Sequence, residues 1–316
     1  MRVVVTGAAG LVGSHLCDSL IAAGHSVLAV DNFITGRRIN IQHLQGHPAF
    51  TLVDADIVDD PIEFGAVDQI YHLASPASPI GYMNNPIATH LVNSVGTKRM
   101  LDLARAQAAR FLFSSTSEIY GNPEVHPQPE TYFGNVNPVG PRSCYDESKR
   151  FGESITMEYV RQYGLDARIV RLFNIYGPRN DPNDGRVVPA FISFALRGQP
   201  LPIYGDGQQT RSLCYIDDLV AGLRRALETD SIAGAIINLG NPDERTIHEL
   251  GTIIADICGS NAGFTHLPTR QDDPERRCPD ITVATNLLAW GASTSLRAGL
   301  EATIRYFVEV EGVSGT

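Results

Sequence analysis

Short runs of apolar, β-branched residues alternate along the 316-residue chain with longer stretches in which apolar residues recur every three or four positions. The short runs predict strands near residues 2–5, 26–30, 50–53, 69–73 and 110–115, and the longer stretches predict helices near residues 12–23, 87–108 and 146–163. This alternation is typical of an α/β fold with a doubly wound parallel sheet of the Rossmann type.

The second half of the chain has a looser pattern. After a strand predicted over residues 167–172, turn-rich segments separate helices predicted near residues 187–197, 217–228 and 246–257. We therefore predict an NAD-binding Rossmann domain over residues 1–174 and a smaller α/β substrate lobe over residues 175–316, with segments near 210–240 returning to the first domain. Ligands of doubly wound sheets bind at the carboxyl edge, which such a lobe would cover.

The first strand leads into a glycine turn, Gly7, Gly10 and Gly13, and then into an amphipathic helix. Glycine allows close backbone approach, and the helix N-terminus offers free N–H groups to a pyrophosphate. The second strand ends in Asp31, where a carboxylate accepts ribose hydroxyls and repels a 2′-phosphate. The pattern predicts NAD rather than NADP, although nearby arginines, Arg37 and Arg38, weaken that preference. The alternative is a glycine turn that only packs helix on strand.

Further cofactor contacts are predicted beside this turn and after the next strands. The segments 54–57 and 72–75 follow the third and fourth strands and should line the adenine and the ribose-phosphate path. The predicted contacts outside the glycines and Asp31 are Leu11, Val12, Asn32, Asp56, Ile57, Leu73, Ala74 and Ser75.

The segment CYDESKRFGE places Tyr145 and Lys149 four residues apart, on one face at a helix start. A phenol with a free pKa near 10 is a poor base, but an ammonium one turn away and a nicotinamide cation favour the phenolate. Tyr145 could then take a proton from a sugar hydroxyl while hydride leaves for NAD. The alternative is that Tyr145 and Lys149 are an ordinary exposed pair on a helix. That alternative is less favoured because the chain contains only two lysines, Lys98 and Lys149.

Another candidate lies where the predicted fifth strand ends, in FLFSSTSEIYG. Four hydroxyl residues precede a carboxylate, Glu118, at the edge where the ligand is expected. Glu118 either takes part in the chemistry or has a structural role, capping the next segment or pairing with an arginine.

Composition narrows the classes of function. A net charge of −10 without a basic tract argues against a nucleic-acid or anionic-membrane partner. No apolar run reaches the length of a membrane span and the chain opens on a strand, so we expect a cytoplasmic protein. Five widely spaced cysteines predict reduced thiols, and the histidine spacing predicts no metal site.

Long strings of the chain resemble the extended short-chain dehydrogenase/reductases that modify nucleotide sugars, most of all the UDP-glucuronate decarboxylases (UDP-xylose synthases). The similarity runs from residue 1 to about residue 290, and its strings are GAAGLVG, DNFITGR, HLASPASP, YMNNPIATH, STSEIYG, NVNPVGPRSCYDESKR, RLFNIYGPR, NDGRVV, YGDGQQTRSLCYIDDLV and DDPERRCPDI. The chain departs from the pattern at Ile80 and Cys278, where proline and lysine are common.

The resemblance implies roles for individual residues. Thr116, Tyr145 and Lys149 match the set that oxidises the sugar, Glu118 and Arg277 match the acid and arginine associated with decarboxylation, and Ser115 is directed toward the nicotinamide ribose. The residues that the resemblance assigns to the UDP-sugar are Tyr82, Ser117, Glu118, Asn174, Val188, Tyr204, Gln209, Arg211 and Arg277.

The activity implied is NAD-dependent decarboxylation of UDP-glucuronate to UDP-xylose through a 4-keto intermediate, in a homodimer formed by the helices near 87–108 and 146–163. Three alternatives remain open: a nucleoside-diphosphate-hexose 4,6-dehydratase, a 4-epimerase and a catalytically silent nucleotide sensor. A dehydratase needs an acid for the departing hydroxyl, and Ser117 occupies the place that an aspartate holds in dTDP-glucose dehydratases. A 4-epimerase does not need Glu118 and would have little use for Arg277 as a carboxylate partner.

Overall fold

A computed structural model describes residues 1–269 and 276–312 of the chain. Most of the described strands belong to one large sheet, and the remainder form three two-stranded pairs. The strands are β1 (Arg2–Thr6), β2 (Ser26–Asp31), β3 (Phe50–Asp54), β4 (Gln69–His72), β5 (Arg110–Thr116), β6 (Ala167–Leu172), β7 (Ile175–Tyr176), β8 (Leu201–Tyr204), β9 (Thr210–Ser212), β10 (Cys214–Tyr215), β11 (Ile236–Leu239), β12 (Glu244–Thr246) and β13 (Phe264–Leu267).

The large sheet has seven parallel strands in the order β11-β6-β5-β4-β1-β2-β3. The chain builds outward from β1 to β3 and then crosses to β4, so the strand order reverses between β1 and β4. A reversal of this kind opens a crevice at the carboxyl edge. The order confirms the predicted doubly wound Rossmann-type fold, with β11 added from the second half of the chain.

Helices cover both faces of the sheet. Leu16 and Leu20 of the first helix pack with Leu223 and Leu227 on one face, whereas Met100 and Leu101 pack with the opposite face. The helices are α1 (Leu11–Ala22), α2 (Pro79–Asn84), α3 (Pro86–Leu91), α4 (Thr97–Gln107), α5 (Ser143–Tyr163), α6 (Val187–Leu196), α7 (Ile216–Glu228), α8 (Ile247–Cys258), α9 (Thr282–Leu288) and α10 (Leu296–Glu309).

The helix predicted over residues 87–108 is instead α3, a π-helical turn over Val92–Gly96, and α4. Within the turn, the buried Asn93 amide donates to the hydroxyls of Ser75 and Ser148, both at 3.0 Å. A π turn rotates the residues that follow it relative to a regular helix, and such turns are frequent at functional sites. The turn therefore ties the loop after β4 to α5.

A separate apolar core holds the second lobe together. It is formed mainly by α6, α8 and α10 around the parallel pair β8 and β13, with Phe191, Leu201, Ile254 and Phe307 buried at its centre. Helix α10 was not predicted. None of the described helices combines the length and the apolar composition that a bilayer span requires.

One tryptophan, Trp290, is buried where α7 meets the end of α9. Its indole N–H donates to the Asp218 carbonyl at 2.8 Å, and Gly222 of α7 leaves the space for its ring. All five cysteines are free thiols.

Candidate active site

A cleft of about 900 Å³ lies at the carboxyl edge of the sheet, between the sheet and the second lobe. Every residue that the sequence predicts to bind cofactor or substrate lines this cleft except Tyr82. The topology thus brings residues from nearly the whole chain to one place.

The glycine turn forms one end of the cleft, which we call the cofactor end. Gly7 has a φ of +70°, and a Cβ at Gly13 would lie only 2.1 Å from the Gly7 carbonyl oxygen. No side chain in the described part of the chain caps α1, whose N-cap is Gly10 and whose first turn holds no acidic residue. The first-turn N–H groups of α1 are therefore available to an anion.

Asp31 ends β2 within this cofactor end. Its two carboxylate oxygens accept backbone N–H bonds from Ala9 and Phe33, each at 2.8 Å. Burial raises the pKa of Asp31, and the two N–H bonds oppose that rise. The bonds fix the carboxylate beside the glycine turn, where ribose hydroxyls can donate to it.

The other predicted cofactor residues border the same end. The Asn32 amide donates to Asp56 at 2.9 Å, which joins the loops after β2 and β3. On the side of β4, the backbone N–H of Ala74 donates to Thr6 at 3.2 Å. Leu11, Val12, Ile57, Leu73 and Ser75 line the cleft nearby.

Tyr145, Lys149 and Thr116 meet in the middle of the cleft. Both helix residues are buried on one face of α5, and the Lys149 ammonium donates to the Ser114 carbonyl at 2.8 Å and lies 5.8 Å from the Tyr145 ring centre. A hydrogen bond between the Thr116 and Tyr145 side chains acts to lower the pKa of Tyr145. The three groups can therefore act on one substrate hydroxyl.

Burial dominates the protonation of this central set. It raises the pKa of Tyr145, which the Thr116 hydrogen bond offsets only in part. It also lowers the pKa of Lys149 to about 7, against an opposing effect of Glu153. A positively charged cofactor ring beside Tyr145 would favour its phenolate.

Glu118 lies at the opposite end of the cleft, the sugar end, between two arginines. Its oxygens accept from Arg277 Nη1 and from Arg142 Nη2, both at 2.6 Å, and its side chain is 14% exposed. Burial alone would raise the pKa of Glu118, but the two guanidinium groups outweigh it and hold the pKa below its usual range. Glu118 is thus an ionised, clamped carboxylate.

Arg277 makes this contact although 159 residues separate it from Glu118. It is 6% exposed, and its Nη2 has no hydrogen-bond partner among the described residues. The guanidinium therefore keeps an unused donor. The motif that contains it begins at residue 272, and residues 272–275 of that motif lie outside the described residues.

The two serines beside Thr116 differ in their contacts. The Ser115 hydroxyl donates to Glu153 at 2.5 Å, and Glu153 in turn pairs with Arg171. Ser115 lines the cleft but directs its hydroxyl toward α5, whereas Ser117 lies buried beside Glu118.

The residues predicted to hold UDP converge from α6, β8, β9 and the loops that lead into β7 and β9. Gln209 is fixed by a bond from its amide to the Tyr204 carbonyl at 2.6 Å, and Asn174 donates to the Ser212 carbonyl at 3.3 Å. Val188 of α6 supplies a buried apolar wall. Arg211 is buried and lowers the pKa of Glu118, so it adds positive charge to this end.

Tyr82 lies behind the cleft rather than in it. Its ring stacks on that of Tyr145 with centres 5.0 Å apart and planes 8° apart, and its hydroxyl has no hydrogen-bond partner among the described residues. Tyr82 therefore supports the substrate site by stacking on Tyr145.

Sequence reasoning missed two ionisable residues at the sugar end. Arg142 immediately precedes α5, and Asp146 follows Tyr145; burial and the charge of Glu118 raise the pKa of Asp146. Both lie inside a motif string, yet nothing local in the sequence shows that Arg142 meets Glu118.

A family model supports the assignment of this cleft. The model described as the NAD dependent epimerase/dehydratase family matches residues 3–240. That range contains the seven-stranded sheet except for Arg2, the first residue of β1, and it contains the central Thr116, Tyr145 and Lys149.

Curated relatives cover almost the whole chain. It is 50% identical over 306 residues to UDP-glucuronic acid decarboxylase 1 of Xenopus tropicalis, covering 97% of this chain and 72% of the relative. It is 52% identical over 307 residues to UDP-glucuronic acid decarboxylase 2 of Arabidopsis thaliana, covering 97% and 68%.

Solved structures with the same fold carry other activities. A UDP-glucuronic acid 4-epimerase from Bacillus cereus, in complex with UDP-glucuronic acid and NAD, has a TM-score of 0.87 at 30% identity and covers 98% of this chain and 100% of its own. A dTDP-glucose 4,6-dehydratase from Streptomyces venezuelae with NAD bound has a TM-score of 0.88 at 29% identity, covering 99% of each chain.

Proposed function

The chain belongs to the NAD-dependent epimerase/dehydratase family, and we propose on that premise that it converts UDP-glucuronate to UDP-xylose. The observation that carries this proposal is the contact of Glu118 with Arg277 at the sugar end. A cation at that place can receive the carboxylate of a uronic acid, which a neutral hexose lacks. The curated relatives at about half identity are named as decarboxylases of this substrate.

The cofactor end fits NAD. The free first turn of α1 would hold the pyrophosphate, and Asp31 would accept the ribose hydroxyls. When bound, NAD supplies a hydride acceptor that returns the hydride at the end of the cycle.

Tyr145 removes the proton from the carbon-4 hydroxyl of the sugar. Thr116 donates to the Tyr145 oxygen and so stabilises the phenolate, and the Lys149 ammonium lies on the same side. Oxidation at carbon 4 leaves the carbon-6 carboxylate β to a carbonyl, so its electrons can move onto the carbon-4 oxygen as CO₂ leaves. The Tyr145 and Thr116 hydroxyls then stabilise that oxygen by donating hydrogen bonds. A proton from water or from Tyr145 replaces the lost carboxylate at carbon 5, and return of the hydride to carbon 4 gives UDP-xylose.

Arg277 positions the leaving carboxylate without holding it tightly. Because Nη1 already binds Glu118, only the remaining donors can pair with the substrate. A strong bidentate clamp on the ground state would oppose CO₂ loss. By occupying one donor of Arg277, Glu118 therefore weakens the binding of the substrate carboxylate to Arg277. In this way Glu118 can pair with an arginine and still take part in the chemistry.

Product mass tests the proposal directly. Incubation with UDP-glucuronate and NAD should give a nucleotide sugar lighter by the mass of CO₂, identified as UDP-xylose. An unchanged mass with inversion at carbon 4 would show an epimerase, and loss of one water from a UDP-, dTDP- or GDP-hexose would show a dehydratase. Either result would overturn the proposal.

Two tyrosine variants test the role of Tyr145 within it. Tyr145→Phe should lower kcat by about 10²–10⁴-fold because the general base is lost. Tyr82→Phe is the matched control, since it removes a hydroxyl without a partner from the ring stacked on Tyr145. Equal losses in both variants would assign Tyr145 a packing role.

We further propose a cytoplasmic homodimer, with the boundary between cofactor and substrate regions at residue 174. Support for the dimer comes from α3, the π turn and α5, where Ile87, Leu91, Val95 and Phe151 are exposed apolar side chains. Burying such residues is the usual driving force for association. Sedimentation at micromolar concentration would show a monomer if this assignment is wrong.

A further inference from the structure

Three potential metal ligands meet beside the sugar end, outside the residues that line the cleft. They are His126, Glu244 of β12 and Cys278, and their donor atoms all lie within 4.8 Å of one another. His126 Nε2 is 3.2 Å from a Glu244 oxygen. Three distant segments of the chain therefore place an imidazole, a carboxylate and a thiol in one cluster.

The surrounding backbone holds the ligands in place. Gln128 and Cys278 exchange two hydrogen bonds of 2.9 Å, one from the Gln128 backbone N–H to the Cys278 carbonyl and one from the Cys278 N–H to the Gln128 side chain. These bonds fix Cys278 against the loop that carries His126. Thr210 of β9 donates its hydroxyl to Glu244. Orienting contacts of this kind are typical around ligating residues.

The ligand set has the chemistry of a zinc-class ion. Zn²⁺ prefers thiolate, imidazole and carboxylate donors in a tetrahedron, at bond lengths of about 2.0–2.3 Å. Such bonds place ligand atoms about 3.5 Å apart, so the present separations need only small side-chain rotations. Cys278 is buried, but the side chains of His126 and Glu244 are 32% and 25% exposed, which leaves a path for the ion.

We propose that His126, Glu244 and Cys278 bind one zinc-class divalent cation, with water as the fourth ligand. Sequence reasoning found no metal site because the three ligands have no common spacing. The ion would join the segment that carries Arg277 to β12, whose partner strand β9 contains Arg211. Its expected role is to fix two cationic side chains of the sugar end.

Cobalt provides the probe, because Co²⁺ takes tetrahedral zinc sites and a thiolate ligand gives it a near-ultraviolet charge-transfer band. Untagged protein, stripped with a chelator, should bind one Co²⁺ per chain with that band, and Zn²⁺ should displace it. Cys278→Ser should abolish the band and weaken binding by at least about 100-fold. His126→Gln should weaken binding while keeping the band.

The matched control is Cys258→Ser, which removes another free thiol outside the cluster. It should bind Co²⁺ as the wild type does. Absence of the band in the wild type, or its persistence in Cys278→Ser, would overturn the proposal. Circular dichroism and NAD binding of each variant show that it folds, and none of these readouts depends on turnover of UDP-glucuronate.

Discussion

The cofactor end and the sugar end of the cleft use charge in different ways. At the cofactor end, the glycine turn and the first turn of α1 present backbone N–H groups, and Asp31 is held by two backbone bonds. At the sugar end, Glu118 is held by two arginine side chains from separate segments, with Arg211 close by. Backbone binding is fixed by the fold, whereas a network of side chains can be altered by single substitutions.

This difference explains how one fold supports several reactions. The solved epimerase and dehydratase structures share the fold and contain NAD. In the mechanism proposed above, the cofactor end serves the oxidation, and the side chains of the sugar end decide the fate of the keto sugar.

Among the variants that separate the two ends, the largest effect is expected from Arg277→Gln. Loss of charge-assisted hydrogen bonds should weaken UDP-glucuronate binding by about 100-fold, equivalent to about 3 kcal/mol. UDP-xylose, which has no carboxylate, should bind nearly as before, and calorimetry with both ligands measures the contrast.

Arg142→Gln is the matched control for that variant, because it removes the other guanidinium from Glu118. It should change the ratio of the affinities for UDP-glucuronate and UDP-xylose by less than about tenfold. Similar losses of preference in both variants would show that the arginines only neutralise Glu118.

Glu118→Gln should lower kcat and KM together, each by about tenfold. Without its carboxylate partner, Arg277 can pair fully with the substrate and stabilise the ground state. Steady-state kinetics with UDP-glucuronate measures both constants. A fall in kcat with an unchanged KM would contradict the mechanism in which Glu118 weakens substrate binding by Arg277. An unchanged kcat would show that Glu118 takes no part in the chemistry.

Lys149 lies between the two ends and gives a stability effect that depends on pH. Because burial lowers its pKa to about 7, the unfolded chain binds a proton that the folded chain does not between about pH 7 and the ordinary lysine pKa. The free energy of unfolding should therefore rise with pH in this window by up to about 1.4 kcal/mol per unit. Below pH 7 Lys149 is protonated in both the folded and the unfolded chain, so the full free-energy cost of burying its charge remains.

Lys149→Met should lack this rise and should be more stable than the wild type at pH 6. Urea unfolding without cofactor, from pH 6 to pH 9, measures it. Lys98→Met is the control because Lys98, the only other lysine, is an exposed partner of Asp102. If Lys149→Met and Lys98→Met show the same pH dependence, Lys149 is charged in the folded state throughout this range.

The smallest effect concerns the cofactor end. Arg37, which could bind a 2′-phosphate, is held by Glu311 through two bonds of 2.7 Å, and Arg38 pairs with Asp54. Glu311→Gln should release Arg37 and strengthen NADP binding by about fivefold, with NAD unchanged. Equilibrium titration of both cofactors checks this, and adding Arg37→Gln should cancel the gain.

The two ends also differ in how far the sequence predicts them. Asp31 ends β2, and Gly7 and Gly13 lie in the turn and the helix that follow the adjacent strand β1, so their spacing alone predicts that they lie together. The pairing of Glu118 with Arg142 and Arg277 depends on tertiary packing across 24 and 159 residues, and residue spacing carries no such information. For the same reason Tyr82 was predicted in the substrate site and lies behind Tyr145, and the π turn divides a helix that periodicity predicts as continuous.

The burial of Trp290 gives the protein a built-in optical reporter. As the only indole in the chain, it accounts for all tryptophan emission, and it lies between α7 and α9 rather than in the cleft. The emission maximum of Trp290 should shift to longer wavelength when the core unfolds, and it should not change when one ligand replaces another. One spectrum can therefore separate a variant that has lost its fold from one that has lost only its chemistry.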